Sequence, residues 1–325
     1  MARVEAAHPY RLVGDVGGTH ARFALVDPAG ALFEQRVLAS ADFEDLEGAV
    51  GRFLQLAEVG AGTIHEAAVA VACPVVGDEI RLTNLRWRFS IAGTRDRLGL
   101  DRLFLLNDFE ALALCLPALR AADLEPLREG EPATGAACAL IGPGTGLGVA
   151  GLAPVGQRWI AIPGEGGHRD LAPANEREWA IFLRLAERFG HVSAERALSG
   201  PGLVWLYEAV CAADGRTAER LTPPEVTARA LADGCAASRE ATGLFSGWLG
   251  AVAGDLALTL GARGGVFLGG GLLEPMGAAF DRGRFVERFL AKGRFASYLR
   301  SIPVARIRHP FPALLGAARA LSAPV

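Results

Sequence analysis

The sequence predicts an α/β protein made of two similar parts, and three observations carry that expectation. Short apolar runs alternate along the chain with stretches of helical hydrophobic period. A strand–glycine turn–strand unit occurs twice, over residues 10–27 and 137–152. The 325 residues also exceed the roughly 250–300 at which a single core stops growing.

The elements follow in chain order. Residues 10–27 hold two apolar runs split by Gly17-Gly18, and Asp27-Pro-Ala-Gly30 then supplies turn chemistry before a third strand over 31–38. This is an antiparallel meander, whereas a Rossmann or P-loop unit places a helix after its glycines. Residues 42–59 carry Phe43, Leu46, Val50, Phe53 and Leu54 at helical spacing. Residues 67–73 and 103–107 read as buried strands, the second followed by a helix from Phe109. Residues 122–132 mix charge and proline without a clear period, so the domain boundary is placed around residue 118.

The second glycine unit then echoes the first, which points to a duplicated architecture. Beyond it, residues 176–189 put Trp179, Phe182, Leu183, Ala186 and Phe189 on one helical face closed by Gly190. Pro201 opens another helix, and Thr222-Pro-Pro-Glu225 is a capping-box signature for a third. A long Ala/Gly-rich helix is expected over 236–260, a strand ending in glycines over 265–272, a strand over 304–308 and a closing helix over 313–321.

Composition excludes several chemistries. Of 33 basic residues only Lys292 is a lysine, and it stands in Ala-Lys-Gly, so neither a Walker A loop nor a Schiff-base lysine is expected. A net charge of −3 gives no footprint for nucleic acid. The local basic stretches, 81–97 and 282–308, read as solvated faces. Five scattered cysteines lack metal-ligand spacing and read as reduced, packed thiols. Residues 1–10 show no apolar leader segment. Residues 133–157 are uncharged and long enough to cross a bilayer, but their many glycines favour two strands around a loop, hence a soluble protein with no membrane partner.

Five segments could carry chemistry. Gly14-Asp-Val-Gly-Gly-Thr19 is a tight turn whose backbone amides can approach a phosphate, with Asp15 placed to hold a divalent cation, commonly through water. A plain hairpin turn is the alternative. Gly142-Pro-Gly-Thr-Gly-Leu-Gly148 reads as a second phosphate clamp with Thr145 as hydroxyl donor, or as a turn in a buried hairpin. Gly269-Gly-Gly271 could let a base or ribose lie against backbone. Asn107-Asp108 ends a strand, where open α/β folds gather ligands, although Asn-Asp before a helix is also ordinary capping. Glu165 and His168 share one loop and suit either a vicinal diol or an incomplete metal site. Glu195 is unreadable in isolation.

Together these segments, with Val192-Ser-Ala-Glu-Arg196 and Leu198-Ser-Gly-Pro-Gly-Leu203, resemble the bacterial ATP-dependent glucokinases of the hexokinase/actin-like superfold, in order and over essentially the whole chain. The resemblance implies a two-lobed α/β fold of the actin-like ATPase (ribonuclease H-like) type, a mixed five-stranded sheet in each lobe and the active site in the interlobe cleft. It implies a small lobe of 1–118 plus about 309–325 and a large lobe of 119–308. It further implies transfer of the ATP γ-phosphoryl group to glucose. Asp108 becomes the catalytic base, and Asn107, Asp108, Glu165, His168 and Glu195 become sugar ligands. Gly14, Asp15, Val16, Gly17, Gly18, Thr19, Gly144, Thr145, Gly146 and Gly270 become ATP contacts, with Asp15 near Mg²⁺, in a cytoplasmic homodimer. Such proteins commonly continue the first turn Thr-Asn, whereas this chain has Thr19-His20. A non-catalytic sugar-binding paralogue and a kinase for another hexose or phosphoryl donor are the competing expectations.

Overall fold

The structure, a computed structural model, describes residues 10–82, 85–232 and 234–322. The segment read for a leader, residues 1–9, lies outside the described residues. The chain divides into two compact units, Met1–Arg120 with His309–Val325, and Ala121–Arg308.

The first unit contains β1 (Tyr10–Val16), β2 (His20–Val26), β3 (Leu32–Ala39), β4 (Ile64–Val71), β5 (Glu79–Arg81), β6 (Arg88–Ser90) and β7 (Arg102–Asn107). Five of them form a sheet in the order β3-β2-β1-β4-β7, and β5 pairs with β6. The meander expected from residues 10–38 is present: β1 and β3 both run antiparallel to β2, while β4 and β7 run parallel to β1. Both sheet faces are covered, which is why β1 and β4 read as nearly continuous apolar runs. Leu12, Phe23, Leu25 and Val69 pack with Phe53 and Leu54 of the helix Leu46–Leu56. That helix is shorter than the 42–59 expected, because Asp45 caps it by accepting from the Gly48 amide and leaves Phe43 outside.

On the other face, Val13, Ala24, Ala68 and Ala70 pack with the helices Asp108–Cys115 and Pro312–Ser322. These two helices touch backbone to backbone. A Cβ built on Gly316 would lie 1.7 Å from the Ala111 carbonyl oxygen.

The second unit contains β8 (Leu124–Arg128), β9 (Cys138–Pro143), β10 (Leu147–Val155), β11 (Arg158–Gly164), β12 (Gly265–Leu268) and β13 (Val304–Ile307), in the order β11-β10-β9-β12-β13-β8. Its first five strands repeat the order and directions found in the first unit. The expected duplication is thus structural. The sheet has six strands rather than five, because β8 adds antiparallel to β13. That strand comes from the segment read as lacking a period. Arg306 fastens it through Glu125, and Arg282 donates to the Leu127 carbonyl at 2.6 Å.

The helix Ala236–Leu260 is long and apolar enough to span a membrane by length and composition, but 67% of its most apolar window is buried inside the unit. Its glycines explain how. A Cβ on Gly250 would stand 2.1 Å from the Phe285 carbonyl oxygen, so the helix Arg282–Leu290 lies directly on the glycine stripe.

The solvated-face reading of 282–308 is therefore corrected. Phe285 and Phe289 are fully buried, and Arg288 is only 13% exposed, ion-paired with Glu178. Glu178 also accepts from the Trp248 indole at 2.8 Å and the Ala174 amide at 2.9 Å, so the buried charge is well supplied with donors. The lone lysine, Lys292, is paired with Asp255, which also accepts from Arg169. The other basic stretch, 81–97, likewise hides Trp87 and Phe89 in the core, while Arg88, Arg95 and Arg97 hold exposed carboxylates. Four of the five cysteines are buried and Cys235 is half-buried; burial pushes the Cys138 thiol up to about 11.

Gly316→Ala should separate the two contacting helices and cost about 1–3 kcal/mol, the usual range for overpacking. A urea titration checks this as a lowered midpoint with unchanged slope.

Candidate functional site

In the first unit the sequence-predicted residues gather at one end of the parallel strands. Val16, Val71 and Asn107 are aligned across β1, β4 and β7. The Gly17-Gly18-Thr19 turn and Asp108 thus leave the same sheet edge, two strands apart, or about 10 Å at the usual strand spacing.

The turn is a two-residue hairpin loop closed by the Gly17 amide donating to the His20 carbonyl at 2.9 Å. Gly14 lies deeper, where a Cβ would meet the Phe23 ring at 2.8 Å, so it serves packing. Thr19 and His20 are exposed. Counting outward from the loop puts Asp15 opposite Arg22, and they form an ion pair at 3.1 Å. Burial raises the Asp15 carboxyl above the ordinary carboxylate range, and Arg22 offsets part of that effect. Arg22 escaped the sequence reading although the hairpin register contained it. Ser40, fully buried beside the turn, escaped it altogether.

Asn107 is a helix cap. Its side-chain oxygen accepts from the Phe109 and Glu110 amides at 2.9 and 3.3 Å, and its amide nitrogen donates to the Cys73 carbonyl at 3.3 Å. Glu110 completes the capping box on the Asn107 amide, and burial raises its carboxyl. Asp108 is the first helical residue, where aligned peptide dipoles favour negative charge.

In the second unit three glycine segments converge. The β9–β10 turn is closed by the Gly144 amide donating to the Gly146 carbonyl at 2.8 Å, and the Gly144 carbonyl accepts from Gly200 at 2.8 Å. The turn is only Gly144-Thr145-Gly146, since Gly142 and Gly148 face each other in the ladder. Gly270 has φ +82°, and a Cβ there would sit 2.4 Å from the Pro143 carbonyl oxygen. Thr145 is exposed.

Glu195 lies against this turn. Its Oε2 accepts from the Leu147 amide at 2.9 Å, and a Cβ on Gly146 would meet that oxygen at 2.5 Å. Its other oxygen is 4.0 Å from His168 Nδ1, and His168 Nε2 is 3.9 Å from Glu165. The isolated bridge Asp170↔Ser193 ties the two loops together. Gly167 packs so closely on β10 that a Cβ would be 2.1 Å from the Leu147 carbonyl. Glu165, His168 and Glu195 therefore form one acceptor-rich cluster, with Glu165 and His168 both 61% exposed. No group of three His, Cys, Asp or Glu side chains placed to hold a metal ion occurs among the described residues.

Residues 12–324 match the sequence profile of one protein family, Glucokinase. A glucokinase of Chromobacterium violaceum is 49% identical over 312 residues, covering 96% of this chain and 89% of that one. One from Aromatoleum aromaticum is 50% identical over 312 residues, covering 96% and 94%. Among solved structures, glucokinase from an Antarctic psychrotroph has a TM-score of 0.87 at 35% identity, covering 97% of this chain and 99% of that chain. Glucokinase from Balamuthia mandrillaris in complex with glucose has a TM-score of 0.81 at 20% identity, covering 99% and 96%, a likeness of fold.

Because burial raises the Asp15 carboxyl, the fold binds its proton more tightly than the unfolded chain does. Its ionisation thus lowers stability as pH rises through that window, and the loss persists at neutral pH. Asp15→Asn keeps an oxygen for Arg22 and removes that burden. Thermal unfolding at pH 7 should show an equal or higher midpoint for the variant.

Proposed function

The chain belongs to the glucokinase family, and from that premise we propose that it transfers the γ-phosphoryl group of ATP to the 6-hydroxyl of D-glucose, giving glucose 6-phosphate and ADP. The observation that carries the reading is identity of about one half over 96% of the chain. The motif residues that carry the resemblance all lie among the described residues.

Phosphoryl transfer asks a protein mainly for positioning and charge stabilisation. Asp108 accepts the 6-hydroxyl proton as that oxygen attacks the γ-phosphorus and the bond to the ADP oxygen breaks. It stands at a helix start, where aligned peptide dipoles favour negative charge. Asn107 retains a second amide hydrogen for a sugar hydroxyl beyond the one given to Cys73. Glu165, His168 and Glu195 provide acceptors and a donor for neighbouring hydroxyls. Residues 15–19 and Gly144, Thr145, Gly146 and Gly270 take the nucleotide, with the Gly18 and Thr19 amides and the Thr19 and Thr145 hydroxyls meeting phosphate oxygens where other folds use lysine.

Mg²⁺ usually keeps several waters and takes one or two carboxylates besides substrate phosphates, and a single carboxylate beside an amide-lined turn fits that demand. Asp15 is the residue that would stand by it, oriented by Arg22. When bound, the ion neutralises charge on the β- and γ-phosphates. The reading also makes the protein a cytoplasmic enzyme of glycolysis acting as a homodimer.

Asp108→Asn should lower glucose-dependent ADP release by about 10²–10⁴-fold while calorimetry still detects glucose binding. Turnover within a few-fold of the parent would remove Asp108 from the role of base. The same ADP-release assay across hexoses, glucosamine and alternative phosphoryl donors tests the substrate assignment. Glucose binding without any turnover would favour a regulatory sugar-binding protein instead.

A further inference from the structure

The β1–β2 turn has two glycines in succession, and a peptide between glycines is the easiest in a chain to turn over. Something must hold it if its amides are to face a ligand. Sheet order supplies the means. β3 lies beside β2, and its last residue, Ala39, pairs with His20, so Ser40 arrives next to the turn.

Ser40 is fully buried and makes two bonds to the turn. Its hydroxyl donates to the Gly17 carbonyl at 2.9 Å, and its amide donates to the Thr19 carbonyl at 3.0 Å. A trans peptide points its N–H opposite to its C=O. Holding the Gly17 carbonyl toward Ser40 therefore aims the Gly18 amide to the other side. Among the described residues, neither the Gly18 nor the Thr19 amide meets a protein acceptor. Ser40 is itself anchored. Its carbonyl accepts from the Phe43 amide at 3.3 Å, and the Phe43 carbonyl accepts from the buried Trp87 indole at 2.8 Å.

We propose that Ser40 is a positioning residue for the nucleotide: its hydroxyl fixes the Gly17–Gly18 peptide so that the Gly18 amide is presented to a phosphate oxygen. The proposal rests on the reading of this turn as a phosphate site and adds a residue that touches neither substrate. It predicts a loss confined to ATP.

The test compares Ser40→Ala, Ser40→Thr and the parent by steady-state kinetics, Mg-ADP calorimetry and thermal unfolding. Ser40→Ala should raise the KM for ATP and the Kd for Mg-ADP about tenfold, as loss of one hydrogen bond to a buried acceptor implies. The KM for glucose should stay within about twofold, and Ser40→Thr, which keeps the hydroxyl, should restore nucleotide affinity. An unchanged Kd for Mg-ADP in Ser40→Ala overturns the proposal, as does an equal weakening of ATP and glucose. If Ser40→Ala fails to fold, Ser40→Cys keeps the volume with a weaker donor. It should weaken Mg-ADP binding by an intermediate factor, and parent-like affinity overturns the proposal. A parent that binds Mg-ADP but turns over no glucose refutes the kinase reading alone, and calorimetry still decides for Ser40. A parent that binds no Mg-ADP overturns both.

Discussion

The architecture depends on backbone meeting backbone at points where a single methyl group would collide with a carbonyl. Gly316 against Ala111, Gly250 against Phe285, Gly167 against Leu147 and Gly270 against Pro143 all leave 2.4 Å or less between a hypothetical Cβ and an oxygen. Two of these contacts join helices and two pin loops that carry the proposed ligand groups. Close approach removes side-chain freedom from the interface and leaves few soft degrees of freedom beneath the site. Part of the large glycine content is thus a packing requirement. Others supply turns, as at Gly17-Gly18 and Gly144 to Gly146.

Much of this was legible in the sequence where local chemistry and tertiary packing agree. The helix Glu176–Phe189 has the expected bounds because an Asn175 cap and Gly190 mark its ends. The helix Ala236–Leu260 also has its expected bounds. The repeated strand–turn–strand pattern revealed the duplication because the glycine runs punctuate buried strands. Legibility failed where one face is polar or the element is short. β11, at a sheet edge, is only seven residues long and its exposed positions include Ile160 and Ile162, so no alternation of apolar and polar residues marks it. The helix Arg282–Leu290 was obscured by its arginines: the stems of Arg284 and Arg288 cover Gly247 while the charged end of Arg288 reaches Glu178.

The candidate site divides the same way. Asn107-Asp108 and the glycine turns were legible only in combination, since each alone also fits ordinary helix capping or a hairpin turn. The pairing of Glu195 with the Leu147 amide could not be read, because it joins residues far apart in sequence. Ser40 carries no sequence signal, since a serine after a strand is unremarkable until the neighbouring strand places it. Asp15 also shows a conflict between folding and its proposed role. Its carboxylate is held partly out of water, which opposes ionisation, and an arginine one strand away moderates the effect.

The closing helix Pro312–Ser322 has a bearing on how the chain is made. It covers the sheet face that Val13, Ala24, Ala68 and Ala70 present, and it braces the helix that begins at Asp108. During synthesis the first unit emerges early, yet that face stays bare until everything from Ala121 to Arg308 has followed. At about 5–20 residues per second the wait is on the order of 10–40 s. A nascent chain therefore exposes an apolar surface throughout that interval, and the helix bearing Asp108 acquires its brace only once Pro312–Ser322 has been made.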